Sequence, residues 1–518
     1  MDAVLGQTTV HGRRQKLRMM TEGLDLKNVY GSTLERIKEL GGEKTRLGMA
    51  ALMWVSHAER LLQLDELLNA LAVEIGSTNL NAENIPSVEI LLSCCLGLVI
   101  VDREASTIRL IHFTLQEYLF TCPDLFGPTH SIMAETCLTY LNFEAIKDIS
   151  SARFIPPRPA PFLIYSSLYW GVHAKREAVR GVVPLALQLF GQIETHMSTK
   201  LLLIHQRSRF RFCENIPIAD PLIGFTGLHC ASLFGITKIA TSLIEEPNCD
   251  LNKEDFLGIT PLIWATVCGH EEVVKLLLER QTINPDKPDT RYHLTALSWA
   301  ARLGHEGVVR LLLERTSAEL DGTNGWWGKT SRVVNMARGR RYVDPNWTDT
   351  YRRTPVLWAA VEGHEGVVKL LLGRKDVEPD MQDYFGQTPL WSTAGKGHDG
   401  VIELLLGRED VNPNIQDIGG QTPLSRAAEG GHEGVVRLLL ARGDVNPNIP
   451  DNGGRTPLSK AAEDGHEGVV KLLLERGDVD PNIPDNDGLV PLWWAAANSR
   501  DGVVELLQAC KSANINPA

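Results

Sequence analysis

The chain of 518 residues is 43% hydrophobic and 22% charged, the balance of a folded protein and not of a disordered one. Its formal net charge of −12 argues against wholesale binding to nucleic acid or anionic membrane, because either would need a basic face. Nine cysteines without a Cys-x-x-Cys pair do not form a secreted disulfide framework, so a reducing compartment is favoured. A soluble, cytoplasmic protein is therefore expected. A basic knot at Arg13, Arg14, Lys16 and Arg18 carries the nuclear alternative.

Residues 1–30 are polar and mixed and read as a flexible terminus, ahead of a first domain over 31–125. From Gly42 the pattern becomes helical, with Leu47, Ala50, Ala51, Trp54, Val55 and Ala58 on one face. A second helix is predicted over 64–75, with Asp65 and Glu66 where the helix dipole favours negative charge. Pro86 opens a third, over 88–96. Two short β-rich runs, 98–101 and 108–112, are separated by a polar connection suited to a hairpin, and 114–120 closes the set as a helix. Three helices followed by a two-stranded wing is winged-helix order. The third helix carries Glu89 and no Lys or Arg, so it lacks the groups that contact phosphate and base edges. The adjacent Cys94 and Cys95 read as buried apolar thiols.

Residues 126–218 form a helical connector, with helices expected over 129–143, 162–175 and 182–197. Pro156, Pro157, Pro159 and Pro161 should make a stiff, non-helical link between the first two. The stretches 49–60 (MAALMWVSHAER), 95–119 (CLGLVIVDREASTIRLIHFTLQEYL), 137–143 and 162–175 together resemble fungal NACHT–ankyrin proteins, which are receptor-like members of the signal-transducing NTPase class. The corresponding segment there is named the GPI inositol-deacylase winged-helix domain. The resemblance implies an architecture, a regulatory context and an NTPase-containing partner. In such proteins a NACHT domain precedes the winged helix, and the stretch before Asp25 is too short to hold one. The esterase in the domain's name finds no support, since no Gly-x-Ser-x-Gly nucleophile elbow occurs.

From residue 219 to 518 a Thr-Pro-Leu-like tripeptide recurs, beginning at Thr260, Thr295, Thr354, Thr388, Thr422, Thr456 and Val490, with a looser copy at Thr226. The steps from Thr260 are 35, 59, 34, 34, 34 and 34 residues. A fixed period of this length predicts a solenoid of stacked units, none of which can bury its apolar faces alone. In the copy from Asp417, Thr422 suits an N-cap and Pro423 the first helical position. Leu424, Ala427 and Ala428 give a small apolar face. Gly430 and Gly431 end the helix, and Val435, Val436, Leu438, Leu439 and Leu440 face a second one. Asn446, Pro447 and Asn448 lead to the next hairpin, whose turn is 451–454. These features resemble the ankyrin repeat and imply about eight repeats.

The recurring His270, His305, His364, His398, His432 and His466 are expected to stabilise turns, because stacked repeats hold them too far apart to share a metal at about 2 Å. Trp264, Trp299, Trp358 and Trp494 occupy equivalent positions and are expected as a ladder in the core.

An insertion at 316–342 accounts for the long step. Its Gly328-Lys329-Thr330 matches only the tail of a phosphate-binding loop, since Thr323 stands where glycine is needed and no strand leads in. Trp326 and Trp327 lie beside Lys329, Arg332, Arg338, Arg340 and Arg341, with no acid over 322–343. A solvated loop is the simplest reading. A grip on an acidic partner, or on single-stranded nucleic acid, is what the composition would also serve.

The expected fold is thus mostly α: a small winged-helix α+β domain, a helical connector and an ankyrin solenoid. The expected function is a non-enzymatic, receptor-like scaffold for a protein partner, with no cofactor, metal or membrane. The alternative is a nucleic-acid-associated regulator using the insertion. The hairpin residues Phe256, Leu257, Tyr292, Tyr351, Tyr384 and Phe385 are the candidate contact surface, giving way to Asn452, Gly453, Asn486 and Asp487 in the later copies.

Overall fold

The computed structural model describes residues 26–149, 160–177, 181–207, 222–317 and 343–514; for residues 26, 207, 315–317 and 511–514 it gives backbone alone. The basic knot, Pro156, Pro157, Pro159 and residues 318–342 of the insertion fall outside these ranges. The chain divides into two compact units, residues 1–249 and 250–518.

Among the described residues the first element is a helix not anticipated from the sequence, α1 (Leu26–Glu39), which begins inside the stretch read as a flexible terminus. Tyr30, Leu34 and Ile37 bury its inner face. Next come α2 (Gly42–His57), β1 (Leu62–Gln63), α3 (Leu64–Ala72), α4 (Val88–Cys94), β2 (Val99–Asp102), β3 (Thr107–Leu110) and α5 (Phe113–Phe120). The strands form an antiparallel sheet in the order β1-β3-β2, with Ile108 opposite both Leu62 and Val101. The two-residue β1 escaped the sequence reading because it is too short to show alternation.

Of the face predicted for α2 only Ala51 and Trp54 are buried, whereas Leu47, Ala50, Val55 and Ala58 are half-buried. Leu52, Met53 and Ser56 are covered as well as Ala51 and Trp54. The reason is that the connector packs on it: the Trp54 ring lies 5.5 Å from Phe162 and 5.9 Å from Tyr165, both nearly edge-on. Gly48 permits the close crossing of α2 and α4, since a Cβ there would sit 2.5 Å from the Cys94 carbonyl. Cys94 and Cys95 are buried, and burial pushes the Cys95 thiol up to about 12.

The connector contributes α6 (Thr129–Leu141), α7 (Leu163–Arg176), α8 (Val182–Phe190) and α9 (Met197–Arg207). The single helix expected over 182–197 is broken after Phe190. Gly191 ends α8, and the buried His196 starts α9 by accepting the Ser198 N–H at Nδ1 (3.1 Å). Its Nε2 lies 3.1 Å from the Leu141 carbonyl, which fixes the ring between two helices. A helix pair, Gly227–Phe234 and Thr237–Ile244, completes the unit.

The second unit is a run of seven helix pairs among the described residues, each a short inner helix and an outer one. Thr260, Thr295, Thr354, Thr388, Thr422 and Thr456 each cap an inner helix through the side-chain oxygen, which accepts the backbone N–H three residues on. Val490 has no side-chain oxygen to do so. Leucine, valine and alanine from both helices make a continuous core, as in Leu424, Ala427, Val435, Val436 and Leu439. Leu438 and Leu440 are only half-buried.

Candidate functional site

The hairpins and inner helices of the second unit are organised around one aspartate per repeat: Asp255, Asp289, Asp349, Asp383, Asp417, Asp451 and Asp485. All are buried except the half-buried Asp417. Each uses Oδ1 to accept two backbone N–H groups of its own turn; Asp349, for example, takes those of Tyr351 and Arg353, both at 2.8 Å. These bonds replace water around a carboxylate that would otherwise be costly to bury.

The second oxygen, Oδ2, faces the inner helix. In four repeats it accepts an indole N–H: Trp264 to Asp255 (2.9 Å), Trp299 to Asp289 (2.9 Å), Trp358 to Asp349 (3.2 Å) and Trp494 to Asp485 (2.9 Å). In a fifth, the buried Lys460 ammonium lies 3.2 Å from Asp451 Oδ2. Of the tryptophans expected as a ladder in the core, Trp264, Trp299 and Trp358 are buried and Trp494 is half-buried, and all four are tied to the turns through carboxylates. They are also interleaved with cations: Arg302 lies over Trp299 (5.4 Å) and Trp358 (4.3 Å), and Arg353 covers Trp358 from 4.3 Å.

Two repeats break the pattern. At the position four residues after the capping threonine stand Ser392 and Arg426 instead of a tryptophan. Arg426 fills its own place, ion-paired with Glu429 at 2.5 Å and set 5.3 Å over the Trp391 ring. Beside Ser392 lies a cleft of about 290 Å³, lined by Leu357, Val361, Gln387 and Trp391, by Asp383, and by Arg353, Lys396 and Arg426. The column of aspartates with tryptophan nine or ten residues later was present in the sequence. Reading the copies against one another at these two columns would have exposed the gap.

The recurring histidines are joined to the backbone of the preceding repeat. The Nε2 atoms of His305, His364, His398, His432 and His466 lie 3.0–3.3 Å from the carbonyls of Val267, Arg302, Val361, Gly395 and Glu429. These bonds do more than hold a local turn, because they link successive units. Among the described residues no group of three or more His, Cys, Asp or Glu is arranged to hold a metal ion.

At the hairpin edge Tyr351, Tyr384 and Phe385 are exposed, at 46%, 69% and 43%. Phe256, Leu257 and Tyr292 are half-buried. Ile418, which the sequence reading passed over, is 67% exposed and continues the row. Successive hairpins are joined by single backbone bonds: Tyr384 N–H to Tyr351 O (2.8 Å) and Ile418 N–H to Phe385 O (3.0 Å). The next two hairpins present Asn452 and Gly453, then Asn486 and Asp487, all exposed. Trp326, Trp327, Lys329, Arg332, Arg338, Arg340 and Arg341 lie outside the described residues.

In the first unit, a buried polar cluster joins α6 and α7 to the end of α2. His173 Nδ1 lies 2.9 Å from His130 Nδ1, its Nε2 lies 2.9 Å from the Tyr165 hydroxyl, and that oxygen accepts the Glu59 N–H at 3.1 Å. The network closes when Tyr165 donates to His173 and His173 donates to His130, both rings neutral. Burial, then His130, Arg176 and His57, hold His173 down to about 3. On α4, the exposed side chains are Glu89, Ile90 and Ser93, with no cation among them.

The repeated helix pairs, hairpins and inter-repeat bonds define a helical-repeat solenoid of the ankyrin type, preceded by a winged helix. Residues 228–324, 331–417, 356–451 and 443–518 match the profile of ankyrin repeats, and the chain belongs to that family. Residues 24–125 match the winged-helix domain of GPI inositol-deacylase. No curated protein matches the chain.

Proposed function

We propose that this chain is a non-enzymatic, receptor-like scaffold whose ankyrin array captures a protein partner through the hairpin edge and the inner face. The observation that carries this reading is the row of exposed Tyr351, Tyr384, Phe385 and Ile418. Large apolar side chains held outward on successive, backbone-linked turns contribute nothing to the core. Such residues are the kind that dominate interface energetics when a partner covers them. Phe256, Leu257 and Tyr292 extend the surface with partly covered rings and chains. The resemblance to NACHT–ankyrin proteins adds that the winged-helix unit docks an NTPase-containing partner in the cytoplasm.

Replacing Tyr351, Tyr384 and Phe385 together with alanine tests the reading. Partner capture by the full chain should fall at least tenfold, the loss of about 1.4 kcal/mol or more. The melting temperature should stay unchanged. Unfolding of the triple variant, or capture at the wild-type level, would contradict the assignment.

A further inference from the structure

We infer that the cleft at Ser392 is a socket for one aromatic N–H donor, the indole of a tryptophan presented by the partner. This deepens the reading of the inner face as a contact surface and rests on it. The argument begins with the carboxylate. Asp383 is only 6% exposed, and its Oδ1 accepts the Phe385 and Gln387 N–H groups at 2.8 and 2.9 Å. Its Oδ2 has no hydrogen-bond or ion-pair partner among the described residues and is still reached by solvent, and Asp383 lines the cleft. Water serves that oxygen in the open cleft, and a donor that enters takes the place the indole N–H holds in other repeats.

The chain itself shows which donor fits. In four other repeats the equivalent space holds an indole whose N–H reaches the equivalent Oδ2 at 2.9–3.2 Å. Trp358 is flanked there by Arg302 and Arg353. The corresponding positions around Ser392 are Val361 and Gln387, which line the cleft with Leu357 and Trp391 and offer flat apolar and amide surfaces to a ring. A volume of about 290 Å³ is at the lower edge of the roughly 300–1,000 Å³ that drug-sized ligands occupy, which suits a single side chain.

An anion is the competing occupant, given three cations nearby. Arg353 is already stacked on Trp358 and Tyr351, and Arg426 is ion-paired with Glu429 and stacked on Trp391. The Nε atoms of both are buried without a hydrogen-bond partner, so the anion is kept as an outcome of the test below. Lys396, exposed at the rim, is the one cation without such a commitment, and it does not by itself make an anion site.

The experiment uses the full chain and N-acetyltryptophan amide, followed by saturation-transfer NMR and titration. Binding is expected, with N-acetylphenylalanine amide about tenfold weaker for want of the N–H. Ser392→Trp should abolish binding by supplying the missing ring from within. Ser392→Met, which fills the space without a rigid ring, serves the same purpose should the tryptophan variant misfold. No binding to the wild type, equal binding of the phenylalanine amide, preference for N-acetylaspartate amide, or binding that survives both substitutions would overturn the proposal. The probe reads the socket alone, whereas the Tyr351, Tyr384 and Phe385 variant reads partner capture, so the two ideas fail separately.

Discussion

At the scale of single residues, the second unit gives Oδ1 of every hairpin aspartate the same task, whereas the first unit depends on histidines held neutral. His173 is held down to about 3 by burial, then by His130, Arg176 and His57, and His196 to about 4, chiefly by burial. In the unfolded chain both should titrate near 6.5. As the pH falls below that value the unfolded state takes up protons that the native state refuses, so stability drops, and it keeps dropping until the native pKa is reached. Each ring should cost about 2 kcal/mol on going from neutral pH to about pH 5. Protonating the pair also breaks the Nδ1-to-Nδ1 bond between His130 and His173. Glu59 and Glu177 are the acids close enough to soften the effect. Asp255, raised to about 6 by burial, works in the opposite sense, because its native form takes up a proton before the unfolded one. Hydrogen exchange in α6 and α7, corrected for intrinsic rates, should therefore accelerate on mild acidification. Protection in those helices that is indifferent to pH would contradict this account.

At the scale of elements, the return loops show the same logic of repeated columns, with aspartate in place of asparagine at Asp286 and Asp380. Asn252, Asn346, Asn414 and Asn448 each bridge to the following repeat, donating from Nδ2 to a carbonyl (2.5–2.8 Å) and accepting an N–H at Oδ1 (2.6–3.0 Å). Asp380 stands in this column. Its Oδ2 accepts the Asn412 N–H at 2.7 Å, but Oδ1 is buried without a partner, and burial followed by Asp410 raises its pKa. Asp380→Asn restores the missing donor, so urea unfolding should show a gain of about 1 kcal/mol, and a loss would mean that the carboxylate has a role of its own. The helix pairs themselves were legible in the sequence, because Thr-Pro, the alanine pair and the valine–leucine run each carry a local reason for helix. The winged-helix strands β2 and β3 were legible for the same kind of reason. Helix α1, the two-residue β1 and the break after Phe190 were not. Their stability comes from tertiary cover, as with the buried Tyr30 and Ile37, or from a distant group, as with His196 bonded to Leu141. The hairpin edge was legible as a set of positions, but the degree of exposure that separates Tyr384 from Tyr292 depends on what packs beside each ring. The gap at Ser392 was legible only by comparing the copies, because it consists of a large side chain that this copy lacks.

At the scale of the whole molecule, a repeat array makes a prediction that a globular core cannot. Units of the second half touch their neighbours in the stack through inner helix on inner helix, hairpin bonds, histidines and the asparagine or aspartate of the return loop. The protein should therefore tolerate removal of one complete period and should not tolerate removal of a fraction of one. Excising residues 451–484 joins Pro450 to Asp485, and Pro484 precedes Asp485 in the intact chain, so the local sequence at the junction is retained. The inner helix Pro423–Glu429 would then face Pro491–Ala497, which brings the same types of small apolar residue, Ala427 and Ala428 against Ala495 and Ala496. Lys460, the buried cation that serves both Asp451 and Glu429, leaves together with Asp451. No buried carboxylate loses its donor except Glu429, which keeps Arg426. Circular dichroism should lose the signal of two eight-residue helices and no more, and unfolding should stay cooperative at a lower midpoint. Since Tyr351, Tyr384, Phe385 and the residues around Ser392 are all retained, partner capture and binding of the tryptophan amide should persist in the shortened chain. Removing residues 451–467, half a period, should instead unfold the C-terminal repeats, because the next hairpin would meet the wrong face of its neighbour. Equal tolerance of both deletions would show that the units are not held by register, and the reading of every column, including the vacancy beside Asp383, would lose its basis.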